Sequence, residues 1–288
     1  MNPKISIVVP VSLKGPIHHN LITWIQDPRL RGHEVLLILD EGEDSGGSFE
    51  SHPLVDQVIA LRIKAVKLHR IRAGNPGGPR NLGLSLATGD WVFFWDADDA
   101  PSINSALSLI EQAHSTPADL AIGLAQRDTL EGIRVITNSW TGIVRWPGIW
   151  RFAFRRTLAT QIQFKHWKWC EDQDFLVKAM IRAQNIFRGD QIIYSYNQQS
   201  INSLTSKKSN SIYLLDFCQS LEETKKGSSG GLILLLFYVK TRLALIPYAG
   251  ALSAISKIVG FVARHPTYLI PRLPRTLRLS SFGMDSHD

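Results

Sequence analysis

Cysteine is almost missing from this 288-residue chain, which holds only Cys170 and Cys218. That excludes a disulfide framework and fits a reducing compartment. No glycine fingerprint follows the first apolar run, which removes a dinucleotide-binding oxidoreductase from consideration. The opening MNPKISIVVPVS is charged too early and is too short in its apolar part for a secretory leader, so none is expected. Apolar runs of the length that crosses a bilayer, about 18 residues, are also lacking. The nearest approach, residues 243–256, is broken by Pro247, Gly250 and Ser253. Acidic residues are scarce in one region only. From residue 227 onward, seven Lys or Arg face just Asp285 and Asp288, so +5 of the formal +7 sits in the tail. The near-neutral remainder argues against a body that grips nucleic acid, and no nucleic-acid partner is expected.

What is present is a chain with 44 % hydrophobic and 20 % charged residues, long enough to bury a large core. Apolar runs at 5–9, 35–39, 58–61, 91–95 and 120–125 read as strands, separated by helical spacing at 21–25, 80–87 and 103–110. Their continuous apolar character predicts an α/β fold: a mostly parallel, Rossmann-like sheet with helices on both faces. An extra strand is expected at 132–138, a loop-rich region at 140–169, a helix near 171–183 and a strand at 192–196. The GSSGG at 227–231 is the best linker candidate.

The sharpest feature is GDWVFFWDADDAP, residues 89–101. Five large apolar residues deliver Asp96, Asp98 and Asp99 to the carboxyl end of a central strand, the edge where open α/β sheets bind ligands. No Lys or Arg lies within the segment, so another cation must neutralise the cluster. A hard divalent ion shared with a phosphate does this economically. The plainer reading is a helix cap at Asp99-Ala-Pro, but a cap needs one acid.

The block NPGGPRNLGLSLATGDWVFFWDADD, residues 75–99, resembles the centre of family 2 glycosyltransferases of the GT-A fold. There a glycine-rich turn and an Arg-Asn-x-Gly helix lead to a strand ending in Asp-x-Asp-Asp. A proline turn after the first strand, an acid ending the second, and Glu171-Asp172 placed 73 residues beyond Asp98 agree with it. The resemblance covers about residues 4–205. It implies a nucleotide-sugar donor, with Pro10, Val11 and Asp40 beside the base and ribose and Arg80 facing the nucleotide. It further implies Asp96 near the ribose or the metal's outer shell, Asp98 on Mn²⁺ or Mg²⁺, and Asp99 in support. Asp172 is implied as the general base, with Glu171 the alternative, and a single displacement implies inversion. First-turn acids on a helix dipole are the structural alternative for that pair.

Two departures stand out. Glu41 replaces the family's second aspartate after Asp40, and no histidine occurs between His166 and His265 to complete a metal site. His166 is therefore expected to pack, as is Cys170. Trp140, Trp146, Trp150, Trp167 and Trp169 crowd the stretch before the acid pair, where they either pack loops or stack on an acceptor sugar. Arg155 and Arg156 could meet phosphate or simply face solvent.

Residues 1–226 are expected to form the catalytic domain, with a donor half at 1–101 and an acceptor half at 102–226. Residues 227–288 are expected to be helical, basic and membrane-associating. In the tail, residues 232–239 and 243–263 read as two amphipathic helices on a bilayer surface, or as a helical pair packed on the domain. The resemblance implies transfer from a UDP-sugar to a glycan or lipid-linked acceptor in cell-envelope polysaccharide synthesis, on the cytoplasmic face of the inner membrane. The competing readings are a metal-dependent nucleotidyltransferase, which would want more than the one lysine of PVSLKGP, and a non-catalytic sugar- or membrane-binding module.

Overall fold

The computed structural model describes residues 3–14, 19–43, 52–129, 132–196, 211–224, 231–269 and 275–277. Its frame is laid by β1 (Ile5–Ser12), β2 (Glu34–Asp40), β3 (Val66–Ile71) and β4 (Trp91–Phe94). They run parallel in the order β4-β1-β2-β3. β1, β2 and β4 are buried almost throughout, as strands covered on both faces require. β3 is the edge strand and only half-buried. Its VKLHRI offers little apolar signal.

That weak signal explains one correction. The apolar run at 58–61 is the end of α2 (Pro53–Leu61), not a strand. Pro53 occupies the first turn, the His52 ring accepts from the Leu54 N–H, and Leu54, Val55 and Val58 face the core. Four apolar residues cannot by themselves distinguish a helix end from a strand; the start signals upstream decide it.

α1 (His19–Trp24) and α3 (Gly77–Leu86) complete the donor half. α3 lies directly on the sheet because Gly83 has no side chain. A Cβ there would stand 2.3 Å from Cγ1 of Val8.

Beyond the short β5 (Ala100–Pro101) come α4 (Ile103–His114), β6 (Leu120–Thr129) and β7 (Gly132–Ile136). Next are α5 (Trp140–Arg145), β8 (Phe152–Arg155), α6 (Arg156–Ala159), α7 (Glu171–Arg182) and β9 (Asn185–Tyr196). β8 is a second correction. Its four residues, within the region expected to be loops, insert antiparallel between β4 and β6 at the centre of the sheet. FAFR carries too short a pattern to stand out from its aromatic neighbours. The sheet is therefore parallel on its donor side and mixed beyond, with β6 and β9 parallel.

The C-terminal segment comprises α8 (Ser211–Glu223), α9 (Gly231–Ala244), α10 (Ile246–Ala249), α11 (Ala251–Arg264) and β10 (Arg275–Leu277) beside β9. α9 is a core helix rather than a surface one. Ile233, Leu234, Phe237 and Tyr238 are buried in the same apolar cluster as Phe175 and Leu176 of α7. The expected division at residue 227 therefore does not separate two cores among the described residues. The linker candidate at 227–230 lies outside them. α11 packs on α9 through Phe261, stacked 4.0 Å from the Tyr238 ring.

Candidate active site

The strand register aligns the expected donor residues along one edge. Ser12 pairs with Asp40, Pro10 with Ile38, and Val8 with Phe94, so Pro10, Asp40 and Asp96 emerge together at the carboxyl ends of β1, β2 and β4. The Val11 side chain is buried in the core, so only its main chain can face a ligand. Asp40 acts as a turn organiser. Its Oδ1 accepts from the N–H groups of Gly42 and Ala73 at 2.9 Å and of Gly74 at 3.3 Å. Glu41 turns to Arg70 (3.0 Å) and Arg72 (3.3 Å), two cations that no local motif singles out.

Each residue of the Arg-Asn-x-Gly motif has a separate mechanical task. Asn81 clamps the 164 segment in both directions, donating to the Phe164 carbonyl at 2.9 Å and accepting its N–H at 2.8 Å. Gly83 allows the close approach to Val8. Arg80 points inward between the two acid groups. One guanidinium nitrogen donates to Asp96 at 2.9 Å and another to Glu171. Arg80 and Glu171 are each only 6 % exposed at the side chain, whereas Asp96 is 33 % exposed. This single buried cation joins the end of β4 to the start of α7, residues separated by more than 70 positions in sequence.

The carboxylates then sort by environment. Asp99 turns inward, buried, and accepts from the Tyr194 hydroxyl at 2.8 Å. The same hydroxyl accepts the Asp96 N–H at 3.0 Å, so Tyr194 pins the Asp-Ala-Asp-Asp turn at two points. The Asp98 carboxylate makes no hydrogen bond to a described residue, and only its carbonyl is engaged, by Asn20. Asp172 lies in the first turn of α7, where its Oδ1 accepts the Gln173 N–H, and the helix dipole favours its negative form.

Electrostatically the site is short of positive charge: Arg80 faces Asp96, Glu171 and Asp172, Lys240 of α9 acts on Asp172, and Asp98 and Asp99 add further negative charge. Burial raises the pKa values of Asp96, Glu171 and Asp172, with neighbouring carboxylates adding to the effect at Asp96 and Glu171. Burial works against the Arg80 charge, but Asp96, Glu171 and Asp172 outweigh it and keep the guanidinium protonated. The donor set suits a hard divalent ion bound mainly by its ligand. Asp98 and the second oxygen of Asp96 are available, and diphosphate oxygens and water would supply the rest. No group of three or more His, Cys, Asp or Glu arranged for a metal exists among the described residues.

The model of glycosyl transferase family 2 matches residues 44–170, the stretch that carries the Arg-Asn-x-Gly helix and the Asp cluster. That stretch resembles family 2 glycosyltransferases, and the fold is of the GT-A type. Poly(ribitol-phosphate) beta-N-acetylglucosaminyltransferase TarP of Staphylococcus aureus is 28 % identical over 123 residues, 42 % of this chain and 36 % of TarP. TarS of S. aureus, solved with UDP-GlcNAc, superposes with a TM-score of 0.63 at 18 % identity, covering 92 % of this chain and 81 % of that one. The mannosyltransferase PcManGT from Pyrobaculum calidifontis, solved with GDP-Man and Mn²⁺, gives 0.53 at 14 % identity, covering 93 % and 83 %. The chain spans between about a third and two thirds of the length of the curated relatives it matches.

Elsewhere in the chain several expectations are redistributed. Arg155 and Arg156 lie at the opposite end of the sheet from the Asp cluster. Arg155 pairs with Trp91 at the start of β4 and its guanidinium covers that ring, while Arg156 donates to the Gly89 carbonyl. His166 is exposed rather than packed. Cys170 is buried at the entry to α7 in a left-handed conformation (φ 67°), and burial raises its thiol pKa far above the ordinary value. Trp150 stacks on Tyr194 at 4.8 Å and so buttresses the residue that holds the Asp turn. Trp140 and Trp146 are covered by Arg188 and Arg127. Tyr194 was invisible as a site residue because a tyrosine in an apolar strand reads as core. Only the fold brings β9 beside the turn after β4.

Proposed function

We propose that this chain is a glycosyltransferase that moves a sugar from a nucleoside-diphosphate donor, a UDP-sugar, to a hydroxyl of a glycan or lipid-linked acceptor, with inversion. Cell-envelope polysaccharide synthesis is the setting, and the cytoplasmic face of the membrane is the place. The single observation that carries the reading is the Arg80 bridge, which brings the Asp96–Asp98 turn and the Glu171-Asp172 pair to one edge of the sheet. Support also comes from TarS, a structural neighbour that binds UDP-GlcNAc.

Pro10, the Val11 main chain and Asp40 hold the base and ribose, with one Asp40 oxygen left to accept a uracil N–H. Asp98 and Asp96 hold a divalent ion, Mn²⁺ or Mg²⁺, with Asp99 fixing their turn through Tyr194. Once bound, that ion offsets negative charge on the diphosphate. Glu171 is committed to Arg80, which leaves Asp172 as the base. Asp172 takes the acceptor O–H proton, the acceptor oxygen bonds to the anomeric carbon, and the carbon–oxygen bond to the diphosphate breaks with its electron pair leaving on the diphosphate. Burial raises the Asp172 pKa, which brings the base closer to the working pH. Arg80 is a positioning residue here, keeping the two halves in register.

The test is nucleoside diphosphate release across a donor panel with Mn²⁺ or Mg²⁺. Asp98→Ala is expected to lose at least about 100-fold in metal-dependent turnover. Asp172→Asn should lose about 10²–10⁴-fold while still binding donor. Full activity in either variant, or no donor bound or turned over by the wild type, overturns the assignment.

A further inference from the structure

α11 is apolar on two sides. Its inner side, with Phe261 and Ala254 buried, packs on the body. Its outer side presents Leu252 (85 % exposed), Ile255 (53 %) and Val259 (61 %), a helical stripe at i, i+3 and i+7. Leu243 at the end of α9 and Tyr248 of α10 are also exposed, at 49 % and 57 %. Scattered exposed leucines need no explanation, but an aligned stripe on one helix does.

Charge identifies what covers it. No Asp or Glu occurs between residues 231 and 284, while seven Lys or Arg do. Lys257 and Arg264 are exposed on α11 itself. Glu222 of α8 pairs with Arg242 and lies near Arg264, but no acid of α10 or α11 offsets Lys257. A second copy of the chain would therefore set like charge against like across a two-fold axis, an unfavourable pairing. An anionic lipid surface offers both complements at once, acyl chains for the stripe and headgroups for the cations. Spanning is not an option among the described residues, since none of their helices is long and apolar enough. The 14 residues of α11 reach about 21 Å against a hydrocarbon core of about 30 Å.

We propose that α10 and α11 form a docking face for an anionic bilayer surface, with Leu252, Ile255 and Val259 entering the interface and Lys257 and Arg264 meeting headgroups. α11 then lies in the plane of the membrane. The docking does not depend on the transfer reaction proposed above.

The test is co-sedimentation of the full chain with phosphatidylglycerol/phosphatidylethanolamine vesicles and with neutral phosphatidylcholine vesicles. Binding is expected to the anionic vesicles only and to weaken at least tenfold on going from low salt to ~0.5 M, where screening is short-ranged. Leu252→Glu, Ile255→Glu and Val259→Glu combined should reduce binding at least tenfold with an unchanged circular dichroism melt. Lys257→Glu with Arg264→Glu, which leaves the apolar stripe intact, should reduce it several-fold. Ile133→Glu with Val135→Glu, equally exposed apolar residues on β7, should leave it unaltered. The proposal fails if the wild type ignores anionic vesicles at low salt, or if the charge pair and the α11 triple variant both bind like wild type. It fails equally if the β7 control loses as much binding, or if sedimentation velocity shows a dimer that the α11 triple variant abolishes.

Discussion

Replacing Arg80 by methionine keeps most of the side-chain volume but removes the charge shared by Asp96 and Glu171. Breaking a buried ion pair from one side costs about 3–5 kcal/mol, because the remaining charge stays in a poorly solvated place. The two partners do not bear this equally. Glu171 is 6 % exposed and has little water to turn to, whereas Asp96, at 33 %, is partly rescued by solvent. With one strongly affected carboxylate, the lower half of the range is the better expectation, about 3–4 kcal/mol. At about 2 °C per kcal/mol for a chain of this size, the melting temperature should fall by about 6–8 °C.

The pH dependence gives the test its force. Without Arg80, the folded-state pKa values of Asp96 and Glu171 rise further above their unfolded values. Between those values the folded protein holds more protons than the unfolded chain, so stability declines as pH rises and recovers as pH falls. The melting deficit should therefore be large at pH 8 and shrink toward pH 5. Glu171→Gln in the Arg80→Met background should restore at least half of it, since it removes the stranded charge. Thermal melts by circular dichroism at both pH values, on the four members of this cycle, decide the matter. A deficit below about 2 °C, or one that is identical at pH 8 and pH 5 and untouched by Glu171→Gln, would refute the idea that the bridge is electrostatic.

Two further predictions concern other buried groups. Tyr194→Phe removes the hydroxyl that holds Asp99 and the Asp96 amide. It should cost about 1.5–3 kcal/mol in stability and weaken Mn²⁺ binding about tenfold in a calorimetric titration; unchanged metal affinity would detach Tyr194 from the site. Glu34, against its burial, is lowered from 4.5 to about 2 by hydrogen bonds from Ser6, Thr88 and Lys67. The unfolded chain binds the extra proton between those values, so this contribution, roughly 3 kcal/mol, is present above pH 4.5 and lost as pH falls toward 2. The stability gap between wild type and Glu34→Gln in urea titrations should close over that window, and a gap constant with pH would contradict it.

Much of the architecture was legible because strands buried on both faces must be written in continuous apolar residues, as at 5–9, 35–39 and 91–95. Where burial is partial the writing fades. β3, an edge strand with only intermediate burial, was overlooked in favour of the end of α2, and the four residues of β8 were hidden among loops. The tail shows the same limit differently. Its apolar residues were plain, but whether a given helix turns them toward the body or away from it depends on neighbours that sequence does not name. α9 turns inward beside α7, and α11 divides its residues between the two sides.

The site divides along the same line. Sequence alone determined which chemistry was available: three aspartates at a strand end with no local cation, an Arg-Asn-x-Gly helix, and an acid pair opening another helix. Residue type and short spacing are local properties, and those motifs are local. Tertiary structure decided the assignments within them. It turned Asp99 inward to Tyr194, left the Asp98 carboxylate without a hydrogen bond to a described residue, and committed Glu171 to Arg80, so that Asp172 stands as the base candidate. The two contacts that settle them, Arg80–Glu171 and Asp99–Tyr194, join residues 91 and 95 positions apart. The pairing of strands, not the order of amino acids within any one of them, sets the distances over which charge and hydrogen bonding act.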